Sequence, residues 1–167
     1  MNQKYRNFIM WVLYALFFLL VMLVQTTLFG RVRIWGVKIS LLPMVMVCIA
    51  MQTGHEAGGL FGLLTALFWH MAGGDNGSLA MLSFTLCGIL SGWLCQVLFP
   101  RRFLPALLLC FGALLIHEGA VFLLQYYLGG AEGALLRWAP MTALLSLPAC
   151  PFIYLPAKLI RKAGGTA

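Results

Sequence analysis

Between Arg6 and Arg31 the chain carries no charge, and from Phe8 to Phe29 it is almost wholly apolar. A hydrocarbon layer about 30 Å thick is crossed by roughly 20 helical residues, so this stretch has the length and composition of a membrane span. Within lipid every backbone N–H and C=O must be satisfied internally, which leaves helices and closed barrels as the spanning structures. The other apolar runs are also unbroken, without the alternation over about ten residues that a barrel strand needs. Of the 167 residues, 62% are hydrophobic and 9% charged, against about 25% charged in a soluble domain. An all-α membrane protein, a six-helix transmembrane bundle, is therefore expected. Six spans use about 120 positions and leave no room for a water-soluble catalytic domain.

The spans are expected at residues 8–29, 39–51, 57–71, 79–99, 103–129 and 140–159, in one integral membrane domain. Lys4 and Arg6 precede the first as in a signal peptide, but Val24-Gln25-Thr26-Thr27-Leu28 supplies no small-residue cleavage site, so an uncleaved anchor is expected. The connector Gly30 to Lys38 interleaves Arg31, Arg33 and Lys38 with Val32, Ile34 and Trp35. It is expected to lie flat at headgroup level, with Trp35 as its anchor. Pro43 suits the first turn of a short second helix. Thr53-Gly54-His55-Glu56 ends that helix, Gly73-Gly74-Asp75-Asn76-Gly77 forms a turn, and Pro100-Arg101-Arg102 stops the fourth span. Pro148, Pro151 and Pro156 should kink the sixth.

The formal net charge is +7. No basic stripe interleaves with exposed aromatics, so nucleic acid is not an expected partner; topology and anionic lipid headgroups account for the charge. With the N-terminus inside, the inner segments hold Lys4, Arg6, Arg101, Arg102, Lys158, Arg161 and Lys162, and the outer ones Arg31, Arg33, Lys38 and Arg137. That excess places both termini in the cytoplasm. The basic connector is the exception, with its charges on the outer side.

Few residues within the spans carry chemistry. Gly54, Gly58 and Gly62 recur at intervals of four, extended by Ala66, and Gly88 and Gly92 repeat the spacing. Such rows let helix backbones approach closely, either inside this bundle or against a partner helix. Gly62→Leu separates the two: an internal row destabilises the isolated protein, and an external one breaks only a complex. Glu118 lies mid-membrane, where a charge costs about 2.5–3.5 kcal/mol and normally pairs. Three roles stand open for it: a structural hydrogen bond to another span, a contact to a partner helix, and a proton or substrate relay. The structural hydrogen bond is taken as the working hypothesis. Gln125 shares its helix face, while His117 points about 100° away. His70 could hydrogen-bond locally or meet Glu118.

His55-Glu56 and His117-Glu118 lack the second histidine of a zinc H-E-x-x-H pair. Cys48, Cys87, Cys95, Cys110 and Cys150 fall inside apolar runs without C-x-x-C spacing and read as small packing residues, not disulfides or ligands. No catalytic set, metal set or cofactor site is expected, and the chain reads as a non-enzyme.

Several segments in order and spacing resemble the MreD family of bacterial rod-shape-determining membrane proteins. They are Gln25-Thr26-Thr27-Leu28-Phe29, Arg33-Ile34-Trp35-Gly36, Leu41-Leu42, the Gly54 to Gly62 row reading into Leu63-Leu64, Gly73-Gly74, Pro140 with Leu144-Leu145, and Leu155-Pro156. The resemblance covers nearly the whole chain. It implies a six-span bundle similar to the substrate-binding subunits of energy-coupling-factor vitamin transporters, in the cytoplasmic membrane of a bacterium. It also implies a non-enzymatic role in the cell-elongation machinery, with MreC, MreB, RodA and a class B penicillin-binding protein as partners. Family members usually have an acidic residue where this chain has His70; Glu118 matches a position often acidic.

The alternative is a vitamin-binding transporter subunit of the energy-coupling-factor type. Those proteins dock through an Ala-x-x-x-Ala pattern on span one, where this chain has Ala15 alone and no glycine from Phe8 to Phe29. A membrane enzyme acting on a lipid-linked substrate would need paired carboxylates or a metal set.

Overall fold

The structure, a computed structural model, describes residues 3–29, 33–34, 37–38, 40–71, 77–98, 102–129 and 138–163. The expectations for Arg31, Trp35, the turn residues 73–76, Pro100, Arg101 and Arg137 lie outside these residues. Helix α1 runs Gln3–Val24 and widens into a π-helical turn, Gln25–Phe29. Thr26 and Thr27 there return their hydroxyls to the carbonyls of Met22 (3.1 Å) and Leu23 (2.6 Å), so neither is left unpaired in an apolar setting. Strand β1, Arg33–Ile34, pairs antiparallel with β2, Val37–Lys38, with Arg33 opposite Lys38 and Ile34 opposite Val37. Within the connector expected to lie at headgroup level, these two short strands pair with each other, and the second rests against the sixth helix.

Helix α2, Leu42–Thr53, starts with Pro43 in its first turn. Every residue from Leu42 to Gln52 is buried. A helix apolar on all sides belongs at the centre of a bundle, and α2 touches α1, α3, α4, α5 and α7. The remaining helices are α3 (His55–Met71), α4 (Gly77–Val97), α5 (Phe103–Gly129), α6 (Trp138–Ser146) and α7 (Cys150–Ala163). The sixth apolar run is kinked by a 3-10 turn, Leu147–Ala149, that contains Pro148 and separates α6 from α7; Pro156 lies inside α7.

Three helical stretches are long and apolar enough to cross a membrane: Tyr5–Leu28, Phe103–Leu123 and Pro140–Ala163. Most of each is uncovered by the rest of the chain. With the composition, this makes the chain an all-α membrane protein. At 1.5 Å per residue, the 12 residues of α2 reach only about 18 Å, less than a bilayer. Its ends therefore need partners from the protein. The N–H of Leu41 donates to Gln25 Oε1 at 2.8 Å and the N–H of Ser40 to Ser146 Oγ at 3.2 Å, all of these residues being buried. The π-helical end of α1 and the end of α6 thus close the start of α2. Farther along, Tyr14, fully buried on α1, donates its hydroxyl to the Ala157 carbonyl of α7 at 3.1 Å. Phe18 meets Phe61 edge-on at 5.5 Å between ring centres, joining α1 to α3.

Candidate functional site

Among the described residues the glycine row builds the tightest contact between helices. Helices α2 and α3 are separated by Gly54 alone, at φ 111° and ψ −177°, a conformation open essentially only to glycine. Its N–H donates to Ala50 C=O at 2.8 Å, and Gly58 N–H donates to Gly54 C=O at 2.9 Å, so Gly54 both ends α2 and opens α3 with a backbone hydrogen bond. From that corner α3 runs antiparallel against α4. A methyl group on Gly58 would meet the Gly88 carbonyl, and one on Gly88 the Gly58 carbonyl. One on Gly92 would lie 2.7 Å from the Gly54 carbonyl and His55 Cα, and one on Gly62 2.5 Å from the Phe84 carbonyl oxygen. All five glycines are buried, and both rows face each other inside this chain. His55 Nδ1 and Gln96 Oε1, 2.9 Å apart, close the corner end of the seam.

Backbone approach at this seam aligns α3 and α4 so that their ends enclose His117 of α5. This side chain is 5% exposed. Its Nδ1 shares a hydrogen bond with Ser83 Oγ at 2.9 Å. Its ring stacks on Phe84 at 4.1 Å between centres and meets Trp69 edge-on at 6.3 Å. An imidazole with one polar partner and two aromatic faces is held in one orientation, and its contacts join α3, α4 and α5. The hydrogen bond expected of Glu118 falls on its neighbour. Glu118 is half-buried, and among the described residues no hydrogen bond to its carboxyl is found. Being at mid-depth says nothing about which way a helix position faces, and the 100° step between adjacent residues turns His117 inward.

His70 is exposed in the last turn of α3; Trp69 takes the inward place beside Phe84 and His117. Gln125 lies within α5, and its side chain is outside the described part. Arg33 and Lys38 face each other across the strand pair. Sequence reasoning missed Ser83, Phe84 and Trp69, since a serine or an aromatic in an apolar helix gives no signal of an inter-helix partner. The five cysteines are free and buried. Among the described residues, Cys48, Cys110 and Cys150 are brought together with the spacing of a metal-ligand group. The expectation that no cysteine is a ligand rested on sequence spacing, which does not see contacts between helices. No protein-family model matches the chain, and no curated protein matches it in sequence.

Proposed function

We propose that the chain is a non-enzymatic membrane scaffold of the bacterial cell-elongation complex, acting in cell shape and lateral peptidoglycan synthesis through protein contacts. In this reading it has six spans, in an arrangement similar to energy-coupling-factor substrate-binding subunits. It sits in the cytoplasmic membrane with both termini inside, and it holds MreC, RodA, a class B penicillin-binding protein and MreB together. The residue resemblance to the MreD family suggests these partners.

The observation that carries the reading is the filled centre of the bundle. Helix α2, with Met44 through Ala50 at 0% exposure, fills the middle of the bundle with close-packed apolar side chains. A polar solute needs several converging hydrogen-bonding groups. Several interior groups of this chain are instead spent on one another: Gln25 on Leu41, Ser146 on Ser40, His117 on Ser83, Tyr14 on Ala157, while among the described residues Gln52 Nε2 and Thr85 Oγ1 are buried without a hydrogen-bond partner. The outer face of α1 offers Phe8, Leu16, Leu19, Leu20 and Leu23 to lipid or to a partner helix, and Arg33 and Lys38 lie on the paired strands that follow α1 in the chain.

The test is purification of the tagged protein from its native membrane. Co-elution of MreC or another elongation protein is expected; a co-eluting vitamin or ATPase module overturns the proposal. Changing Arg31, Arg33 and Lys38 to Gln should weaken MreC capture if the connector is part of the interface, and undiminished capture removes it.

A further inference from the structure

Three of the five cysteines, far apart in sequence, meet at one point of the core. Cys48 on α2, Cys110 on α5 and Cys150 at the start of α7 are each at 0% exposure. Their Sγ atoms all lie within 4.8 Å of one another, and those of Cys110 and Cys150 are 3.9 Å apart. All three are free thiols. Three sulfurs bound to one ion at about 2.3 Å, the usual metal–thiolate length, stand about 4.0 Å apart in a trigonal plane. The 3.9 Å pair has the separation of that plane, the third sulfur lies within 4.8 Å of both, and the 3.9 Å separation is well beyond the roughly 2.05 Å of a disulfide. Packing alone asks for a small side chain at each position; it does not ask that three helices aim sulfur at one point.

We propose that Cys48, Cys110 and Cys150 form a three-coordinate site for a soft monovalent metal ion of the copper(I) class. Thiolate ligands favour such an ion, whereas structural zinc takes four ligands, and among the described residues these three alone form such a group. Met44 and Met51, both buried, lie four residues before and three after Cys48 on the same face of α2, so the surroundings are apolar and rich in sulfur. Each sulfur that binds as thiolate releases its proton. The ion keeps its oxidation state, so no further reactant is needed. Once bound, it ties the central helix to α5 and α7. The site stands independently of the scaffold reading.

Silver(I), with the same charge and no accessible redox chemistry, is the probe. The full chain, purified in detergent after growth with and without added copper, is titrated with silver against a competing chelator. One tightly held ion per chain with a sulfur-to-metal charge-transfer band in the ultraviolet is expected. Cys48→Ser, Cys110→Ser and Cys150→Ser should each weaken binding at least about tenfold. Cys87→Ser should leave it unchanged, since that thiol faces the Ala113 carbonyl at 3.9 Å. X-ray absorption of the silver-loaded wild type, which depends on no variant folding, should count three sulfur neighbours. Fewer than three, affinity indifferent to all three serine variants, or a Cys110–Cys150 disulfide in the isolated protein overturns the site.

Discussion

Replacing Gly62 by alanine adds one methyl group where the helices leave no space. The new Cβ falls 2.5 Å from the Phe84 carbonyl oxygen, 2.9 Å from Thr85 Cα and 3.0 Å from the Phe84 carbonyl carbon, whereas comfortable carbon contacts are about 3.5–4.0 Å. All three atoms are backbone, so no rotamer change relieves the clash, and α3 and α4 must part by about 1 Å. A gap of that size forfeits a quarter to a half of the dispersion energy of the atoms it separates, and overpacking of this kind costs about 1–3 kcal/mol. Removing a mid-helix glycine returns about 0.5–1 kcal/mol, so the net is a loss of up to about 2.5 kcal/mol. Gly112→Ala is the matched control: nothing lies within 4 Å of its Cβ, so only the gain of about 0.5–1 kcal/mol remains. The assay is thermal unfolding in detergent with a thiol-reactive fluorophore, because all five cysteines are buried and free and react as the bundle opens. Gly62→Ala should melt below the wild type and Gly112→Ala at or above it. If Gly62→Ala melts with the wild type, the seam does not hold α3 and α4 at the distance described.

Gln25→Leu removes the acceptor of the buried Leu41 N–H and should cost about 1–3 kcal/mol in the same melt; no change would mean that the start of α2 is satisfied otherwise. His117→Phe and Ser83→Ala, measured singly and together, should show a coupling of about 1 kcal/mol through their shared hydrogen bond, and strict additivity would contradict it. Tyr14→Phe should cost about 1 kcal/mol by freeing the Ala157 carbonyl, read as a lower melting temperature. Glu118→Gln should fold and sustain cell shape as the wild type does; loss of function with normal folding would assign a role to the ionised carboxylate.

The helices were legible where local chemistry alone decides them. Phe103–Gly129 follows from an apolar run bounded by Arg102 and a glycine cluster, and Gly54 announced the α2–α3 corner because no other residue holds that conformation. The i+4 glycine spacing showed that a close contact exists, but which row faces which is a property of two helices. The same limit hid the remainder of the interior. Ser83 and His117 are 34 residues apart, and Cys48, Cys110 and Cys150 come from three helices; no periodicity links them. Glu118 drew attention by charge, yet burial is set by azimuth as well as depth, and the neutral-looking neighbour was the one turned inward. The strand pair was missed because Arg33 to Lys38 is too short for strand alternation to show.

In the proposed function this packed bundle works by holding elongation proteins, not by carrying a solute. Depletion of the protein in the cell that makes it, followed by microscopy of cell shape and by vitamin uptake, separates the two. Rods that widen and round while uptake is unchanged are the predicted result. Cells that stay rod-shaped and lose uptake of a vitamin would contradict the account.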